Sequence, residues 1–335
     1  MCENNENPVE KRIAIKAECT FISPALIGSG LSENTDSDVL RDKNGNAFLP
    51  GSAVAGVLRE AVPEALVLFG EGRLSPLWTF DAELSDSENH PAKVIELDGV
   101  EIGKENKVAI DSKKYDFEAV ETGSKFTLRL LLTIREKDKA SDYENLLIRI
   151  VSALESGNIA FGAKTRRGFG AVKCESVVKR EFDFSKDKHL DKWLDFEWDS
   201  GDWEKEKEKD SGTFSAKTEA IVATLSLTGS IMIRDTRNIY VDPNKEKAKE
   251  KTPEKAPDYK HISSNGDPVI FGTSWAGAFR SGLYRLLNSI YPDKAEKYLD
   301  NVFGYVYEKD KDGIEPSKSS EIIFNSSFLK MYCFL

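Results

Sequence analysis

Cysteine and histidine are scarce in this 335-residue chain, which holds four of the first and three of the second. Cys2, Cys19, Cys174 and Cys333 show no CxxC spacing, and His90, His189 and His261 are dispersed. The sequence therefore supports neither a zinc site nor a disulfide framework. It has no apolar run long enough to span a membrane, and its opening, MCENNENPVEKR, is too acidic and polar for a signal or transit peptide. The expected compartment is the cytoplasm, with no membrane partner. Basic residues are not in excess either: the formal net charge is −10, a sum that argues against a nucleic-acid partner.

The distribution of charge says more than its sum. Residues 183–217 carry eleven acidic and seven basic side chains and end in the solvated run WEKEKEKDSG. The same segment holds Trp193, Leu194, Phe196, Trp198 and Trp203, so its first part is expected to pack as a short helix before a linker begins. Basic residues gather instead beside glycines: Arg41, Lys43 and Arg59 in one place, and Lys164, Arg166, Arg167 and Lys173 in another. Basic loops on an acidic body suit a local phosphate-binding groove.

The chain also repeats itself. NGNAFLPGSAVAGVLREAV from Asn44 is echoed by NGDPVIFGTSWAGAFRSGL from Asn265, with Gly45, Gly51, Gly56 and Arg59 matching Gly266, Gly272, Gly277 and Arg280 at one offset of 221 (266 less 45). Leu68-Phe69-Gly70 returns as Val302-Phe303-Gly304, and SPLWTFDAEL from Ser75 as SEIIFNSSFL from Ser320. The pattern predicts two tandem copies of one domain. In each, a tight turn leads into a helix capped by Ser52, or by Thr273 or Ser274. Val54, Val57, Leu58 and Ala61 line the buried face of the first helix, and Trp275, Ala278, Phe279, Gly282 and Leu286 that of the second. Gly56 and Gly277 sit inside these helices at a cost of about 1 kcal/mol each relative to alanine, which fits either close approach of a backbone or ligand, or tight packing on a sheet.

Around the first helix, KRIAIKAECTFI, AKVIEL, KVAID and KFTLRLLLTI read as strands, Ser141 to Ser156 as a helix, and GFGAVKCESVVK as a closing strand. Strand, helix, strands, helix, strand is an α+β, ferredoxin-like (RRM-like) order. The expected organisation is a first domain over 1–182, an acidic tryptophan-containing segment and linker over 183–217, and a second copy over 218–335. That second copy is incomplete by internal comparison, because nothing after SEIIFNSSFL corresponds to the later strands and second helix of the first. The loop GNIAFGAKTRRGFGAVK (157–173) nearly spells a P-loop, but Ala163 interrupts the spacing and the loop follows a helix and enters a strand, the reverse of the context a P-loop needs. It reads instead as a backbone cradle, Gly162, Gly168 and Gly170 admitting a phosphate chain that Lys164, Arg166 and Arg167 neutralise, or as a solvated basic hairpin.

Together, LPGSAVAGVLR, the downstream LFG, KVAIDSKKYDFEAVETGSKF and FGAKTRRGFGAV resemble the RAMP superfamily of CRISPR proteins, from about Arg12 to Lys179, and most closely the backbone subunits of type III effector complexes. The resemblance implies a RAMP domain that stacks along a guide RNA with other CRISPR effector subunits, in antiviral defence, and cuts the paired, complementary target RNA. The positions implied at RNA are Arg41, Lys43, Gly51, Ser52, Arg59, Lys164, Arg166, Arg167 and Gly168, with Gly272, Thr273 and Arg280 in the second copy.

The family's cutting residue is an aspartate in a context like D-S-x-V-[IL]-[RK]-D. TDSDVLRD (35–42) puts Asp36 at that place, with Asp38 and Asp42 as further possible ligands of a divalent metal, magnesium being the expected ion. The resemblance thus implies a metal-dependent endoribonuclease acting within a complex. Two alternatives stand beside it: a purely structural backbone subunit, and a metal-independent enzyme that processes the guide. In the second copy no DSxV sequence appears, and Asp242 and Asp258 are the nearest carboxylates.

Overall fold

The computed structural model describes residues 7–30, 35–70, 74–102, 109–136, 138–201, 203–205, 220–235, 260–305 and 318–329. The N-terminal region runs β1 (Val9–Phe21), β2 (Phe48–Leu49), α1 (Gly51–Ala61), β3 (Leu77–Thr79), β4 (Ala82–Glu83), β5 (Val94–Ile102), β6 (Ala109–Val120), β7 (Lys125–Arg135), α2 (Ala140–Glu155), β8 (Val172–Asp183), α3 (His189–Leu194) and β9 (Glu204–Lys205). Its main sheet is antiparallel, in the order β3-β7-β1-β8-β9. It contains strand–helix–strand twice, as β1-α1-β3 and as β7-α2-β8. β1 and β7 are central neighbours, and each outer strand pairs with the other half's central strand, β3 with β7 and β8 with β1.

Alternation explains the two faces of this sheet. Ile13, Ile15, Ala17, Cys19 and Phe21 of β1 and Phe126, Leu128, Leu130, Leu132 and Ile134 of β7 point to one side, where they bury with Val54 and Leu58 of α1 and Leu147, Ile150, Val151 and Leu154 of α2. The other side is also covered. Ala14, Leu131 and Phe182 pack under Phe80, Phe184, Trp193, Phe196, Trp198 and Trp203, with Trp193 and Phe196 stacked 5.5 Å apart. The acidic segment therefore belongs to the first sheet as far as β9. Of the side chains expected to pack there, Leu194 does not, being 72% exposed.

The cover also occupies the cations of this face. Arg12 lies 4.2 Å from the Trp193 ring centroid, and Asp199 accepts Lys16 at 3.2 Å and faces Arg129 at 3.6 Å.

Two expectations are corrected here. Cys19 and Cys174 form a disulfide as cross-strand neighbours on β1 and β8, their Cα atoms 4.1 Å apart; a separation of 155 residues is invisible to local spacing. Ser52 and Thr273 or Ser274 are not caps. They lie inside the first turn, and the capping positions are Pro50 and Phe271. The first free amide is met from a distant turn instead: Asp81 Oδ1 accepts Gly51 N–H at 2.7 Å.

The C-terminal region holds β10 (Arg234–Asp235), β11 (Lys260–His261), β12 (Ser263–Ser264), β13 (Asp267–Ile270), α4 (Gly272–Ile290), α5 (Ala295–Phe303) and β14 (Ser327–Phe328). Details of the first region recur in it. Phe48 and Leu49 pair with Glu83 and Ala82, and Val269 and Ile270 pair with Phe328 and Ser327. The single hydroxyl proton of Ser75 is shared between the carbonyls of Leu68 and Leu77, and that of Ser320 between those of Val302 and Ile322. Ser326 Oγ accepts Gly272 N–H as Asp81 accepts that of Gly51.

The helix glycines do not serve packing. A Cβ placed at Gly56, Gly277 or Gly282 would meet nothing within 4 Å. Gly51 and Gly272 are the constrained pair, since a side chain there would overlap the backbones of Thr79 and of Phe324 and Arg167. The expected buried face of the second helix is open: Phe279 is 56% exposed and Leu286 58%.

Candidate nucleic-acid interface

The site is organised by one strand. β6 pairs with β5 in a hairpin outside the main sheet, and its alternate side chains face two ways. Tyr115 and Phe117 point to the basic loop, while Asp116 and Glu118 point to the loop carrying TDSDVLRD.

On the first side, Lys164 has a left-handed backbone (φ 58) and opens a short turn, Thr165–Arg167, that closes on Gly168 (φ 79). A side chain at Gly168 would also strike the backbone of Phe324 and Asn325, so the glycine is required twice over. Lys164 Nζ sits 3.5 Å from the Phe117 ring centroid and 4.4 Å from that of Tyr115. Arg166 and Arg167 are exposed. The turn is seated on the C-terminal region: Phe324 N–H donates to the Arg166 carbonyl at 3.2 Å, and Phe169 stacks on Phe271, 5.9 Å apart. Arg166, Arg167 and Gly168 are thereby brought beside Gly272 and Thr273.

Burial, with Arg167 adding, holds the Lys164 ammonium down to about 8 from its ordinary 10.5. Between those values the unfolded chain binds the proton more readily than the fold does, so this residue makes stability rise with pH. Relative to Lys164→Met, the wild type should gain stability from pH about 8 to 10.5 in denaturant melts; a difference that ignores pH would remove Lys164 from its seat on the rings.

On the second side, Glu118 is buried and binds Arg41 through both carboxylate oxygens, at 2.6 and 2.9 Å. Glu118 also accepts Val39 N–H at 2.9 Å. The Arg41 hydrogen bond holds the Glu118 carboxyl below its usual range against the opposing effect of burial. Arg41, expected at RNA, is thus engaged in fixing the loop. Asp36 is exposed and exchanges hydrogen bonds with Asp116: each carboxylate accepts the other's backbone N–H at 3.0 Å.

The other carboxylates of the motif are used locally. Asp38 is buried and accepts the Thr35 N–H and hydroxyl at 2.9 and 2.8 Å. Asp42 Oδ1 accepts Asn44 N–H and Asn46 N–H, both at 2.8 Å, closing a turn. Among the described residues no three His, Cys, Asp or Glu side chains are grouped to hold a metal. Asp38 and Asp42 are thus held by their own loop. Asp36 and Asp116 are the neighbouring carboxylates that could hold an ion of the magnesium type, which takes one or two carboxylates and completes its shell from water and phosphate. Asp242 and Asp258 lie outside the described residues.

The remaining candidates sit apart. Ser52 and Arg59, with Gly56, border an open depression of about 410 Å³ beside Trp78, which is 51% exposed. Lys43 is exposed on the Asp42–Asn46 turn. Arg280, expected at RNA, pairs with Asp300 of α5 at 2.8 Å and with Glu296 at 3.2 Å. Sequence reasoning missed Asp116, Glu118 and the ring pair Tyr115 and Phe117. Their alternation in KKYDFEAV was the available signal.

These features define an α+β domain of antiparallel sheet and paired helices that carries a basic glycine turn and an acidic loop on one hairpin. Residues 18–173 match the family model of the RAMP superfamily, whose members are associated with CRISPR-Cas RNA-binding subunits. That stretch, from within β1 to the entry of β8, is what the chain has in common with the RAMP superfamily. No curated protein matches the chain. Among the described residues no helix is long and apolar enough to cross a membrane.

Proposed function

We propose that this protein is a guide-RNA-binding backbone subunit of a type III CRISPR effector complex, acting in the cytoplasm beside other effector subunits, and that its first domain cuts guide-paired target RNA. The observation carrying the reading is the two-sided use of β6. One strand seats the Lys164–Gly168 turn, with Arg166 and Arg167 exposed, and also anchors the loop that presents Asp36. The order β3-β7-β1-β8, with both helices on one face, supports a ferredoxin-like reading of this domain. The recurring strand pairs and serine hydrogen bonds support reading residues 218–335 as a second copy of the repeat.

Chemically, the proposal asks little of the protein. Arg166 and Arg167 neutralise backbone phosphates. Base pairing with the guide sets the target strand, and Asp36 orients or deprotonates the 2′-hydroxyl, whose oxygen bonds to the adjacent phosphorus as the bond from phosphorus to the 5′-oxygen breaks; water protonates the leaving oxygen and a 2′,3′-cyclic phosphate remains. A magnesium-type ion held by Asp36 and Asp116 would supply charge stabilisation at the phosphate. The fixed Arg41–Glu118 pair keeps the loop in place, so Asp36 stays exposed without its neighbours moving.

Purification of the chain from its host, followed by sequencing of bound RNA, tests the reading. The expected result is a set of short RNAs sharing a CRISPR-repeat-derived segment. Recovery of RNA without any such shared segment would contradict guide binding.

A further inference from the structure

The face of the main sheet turned away from α1 and α2 is cationic beneath its aromatic cover. Alternation sends Arg12 and Lys16 of β1, Arg129 and Arg135 of β7 and Arg180 of β8 to that side, with Ala14, Leu131 and Phe182 between them. Lys16 and Arg129 stand directly opposite each other in the register of β1 with β7, a placing of like charges that costs stability. Two carboxylates reach this pair: Asp199 of the cover, 3.2 Å from Lys16 and 3.6 Å from Arg129, and Glu18, 4.0 Å from Lys16. Arg12 meets the Trp193 ring and Arg180 donates to the Ser200 carbonyl at 3.2 Å, and neither has an ion pair among the described residues. Arg12 Nε and Arg129 Nε are buried and lack a hydrogen-bond partner among the described residues. Burial, with Arg135 adding, works against the Arg12 charge. Buried donors without partners are rare, and one account of them is an ion that belongs at the site.

The cover over these cations is thin and lightly held. α3 has six residues, and β9 pairs through two, Glu204 with Lys179 and Lys205 with Val178. Trp193, Phe196, Trp198 and Trp203 form a chain of ring contacts, with centroids 5.2 to 6.0 Å apart, and each ring stays partly exposed. Flat rings in succession, with one carboxylate set against Lys16 and Arg129, offer the chemistry of a single strand of nucleic acid: stacked bases and a phosphate.

We propose that the outer sheet face is a second binding site, for single-stranded RNA, and that the segment from α3 to β9 is an autoinhibitory cover which the RNA displaces. Phosphates meet Arg12, Lys16, Arg129 and Arg180, and a base takes the place on Phe182 that the Trp193 and Phe196 rings hold at 5.2 Å. The buried nitrogens of Arg12 and Arg129 then gain acceptors that the cover does not supply. The core between the sheet and its two helices lies on the other face and is left as it is. This site is separate from the Lys164–Gly168 turn and does not depend on the turn holding RNA.

The test uses the full chain carrying Arg166→Ala and Arg167→Ala, which removes the exposed cations of the turn, with a labelled oligouridylate as probe. Amide hydrogen exchange reads the cover and fluorescence anisotropy reads affinity. The expected result is faster exchange of the amides of 189–201 when the probe is added. Asp199→Asn and, separately, Phe196→Ala should each lower the dissociation constant by about threefold or more. Adding Lys16→Gln with Arg129→Gln should cancel both gains. Asp199 is exposed, so its variant reads the site even if Phe196→Ala fails to fold. Exchange that ignores the probe, or affinity that ignores Asp199→Asn, would overturn the proposal. A gain that survives the loss of Lys16 and Arg129 would place the RNA elsewhere and overturn it as well. Polyglutamate that opens the cover as oligouridylate does would show a response to charge alone and overturn RNA as the occupant. None of these outcomes bears on the turn, whose own arginines test it separately.

Discussion

Asp36→Asn is expected to slow cleavage of guide-paired RNA by about 10²- to 10⁴-fold in the assembled complex, the range set by removing a group that moves or orients a proton. The asparagine keeps an oxygen to accept the Asp116 N–H, now met at 3.0 Å, and loses only the charge. Because Asp36 is exposed, stability should change by no more than about 0.5 kcal/mol. RNA affinity should not fall, since the cationic turn lies on the other side of β6. Asp116→Asn should give a smaller loss that added magnesium partly restores, because Asp116 stands beside Asp36 without being the implied cutting residue. Asp38→Asn is the contrasting control: Asp38 is buried and bonded to Thr35, so its loss should appear in stability before it appears in rate. Cleavage that survives Asp36→Asn would leave the chain as a structural subunit.

Much of the architecture could be read from periodicity. The alternation in KRIAIKAECTFI and KFTLRLLLTI became β1 and β7, and the 3.6 spacing of Tyr143, Leu147, Ile150 and Leu154 became α2, because each pattern is local and each element buries one face. What escaped the sequence was set by contacts distant along the chain. The amide of Gly51 is capped by Asp81, thirty positions away, so Ser52 was the natural but wrong choice for a cap. The Cys19–Cys174 pair depends on β8 returning beside β1.

The site was legible in part. The glycine and arginine clusters pointed to Arg166, Arg167 and Gly168, and TDSDVLRD to Asp36. That Arg41 would turn to Glu118, or Arg280 to Asp300, could not be seen from residue type, because a cation reads alike whether it meets a phosphate or a carboxylate. The tryptophans of the acidic segment were seen to pack, and the structure adds that they close the outer face of the sheet.

Arg166→Ala with Arg167→Ala should weaken RNA binding to a similar degree for every sequence, since phosphate contacts position the strand without reading bases. Both side chains are exposed on a turn whose geometry is fixed by backbone hydrogen bonds and Gly168, so folding should be little changed. Lys164 should contribute less than either, its ammonium lying on the Phe117 and Tyr115 rings. The most direct test of the account is the salt dependence of RNA affinity for the wild type and this double variant. Losing two phosphate contacts should flatten the slope of log K against log salt by about 1.4 for single-stranded RNA. An unchanged slope, with binding retained, would show that the turn beside β6 does not hold the RNA.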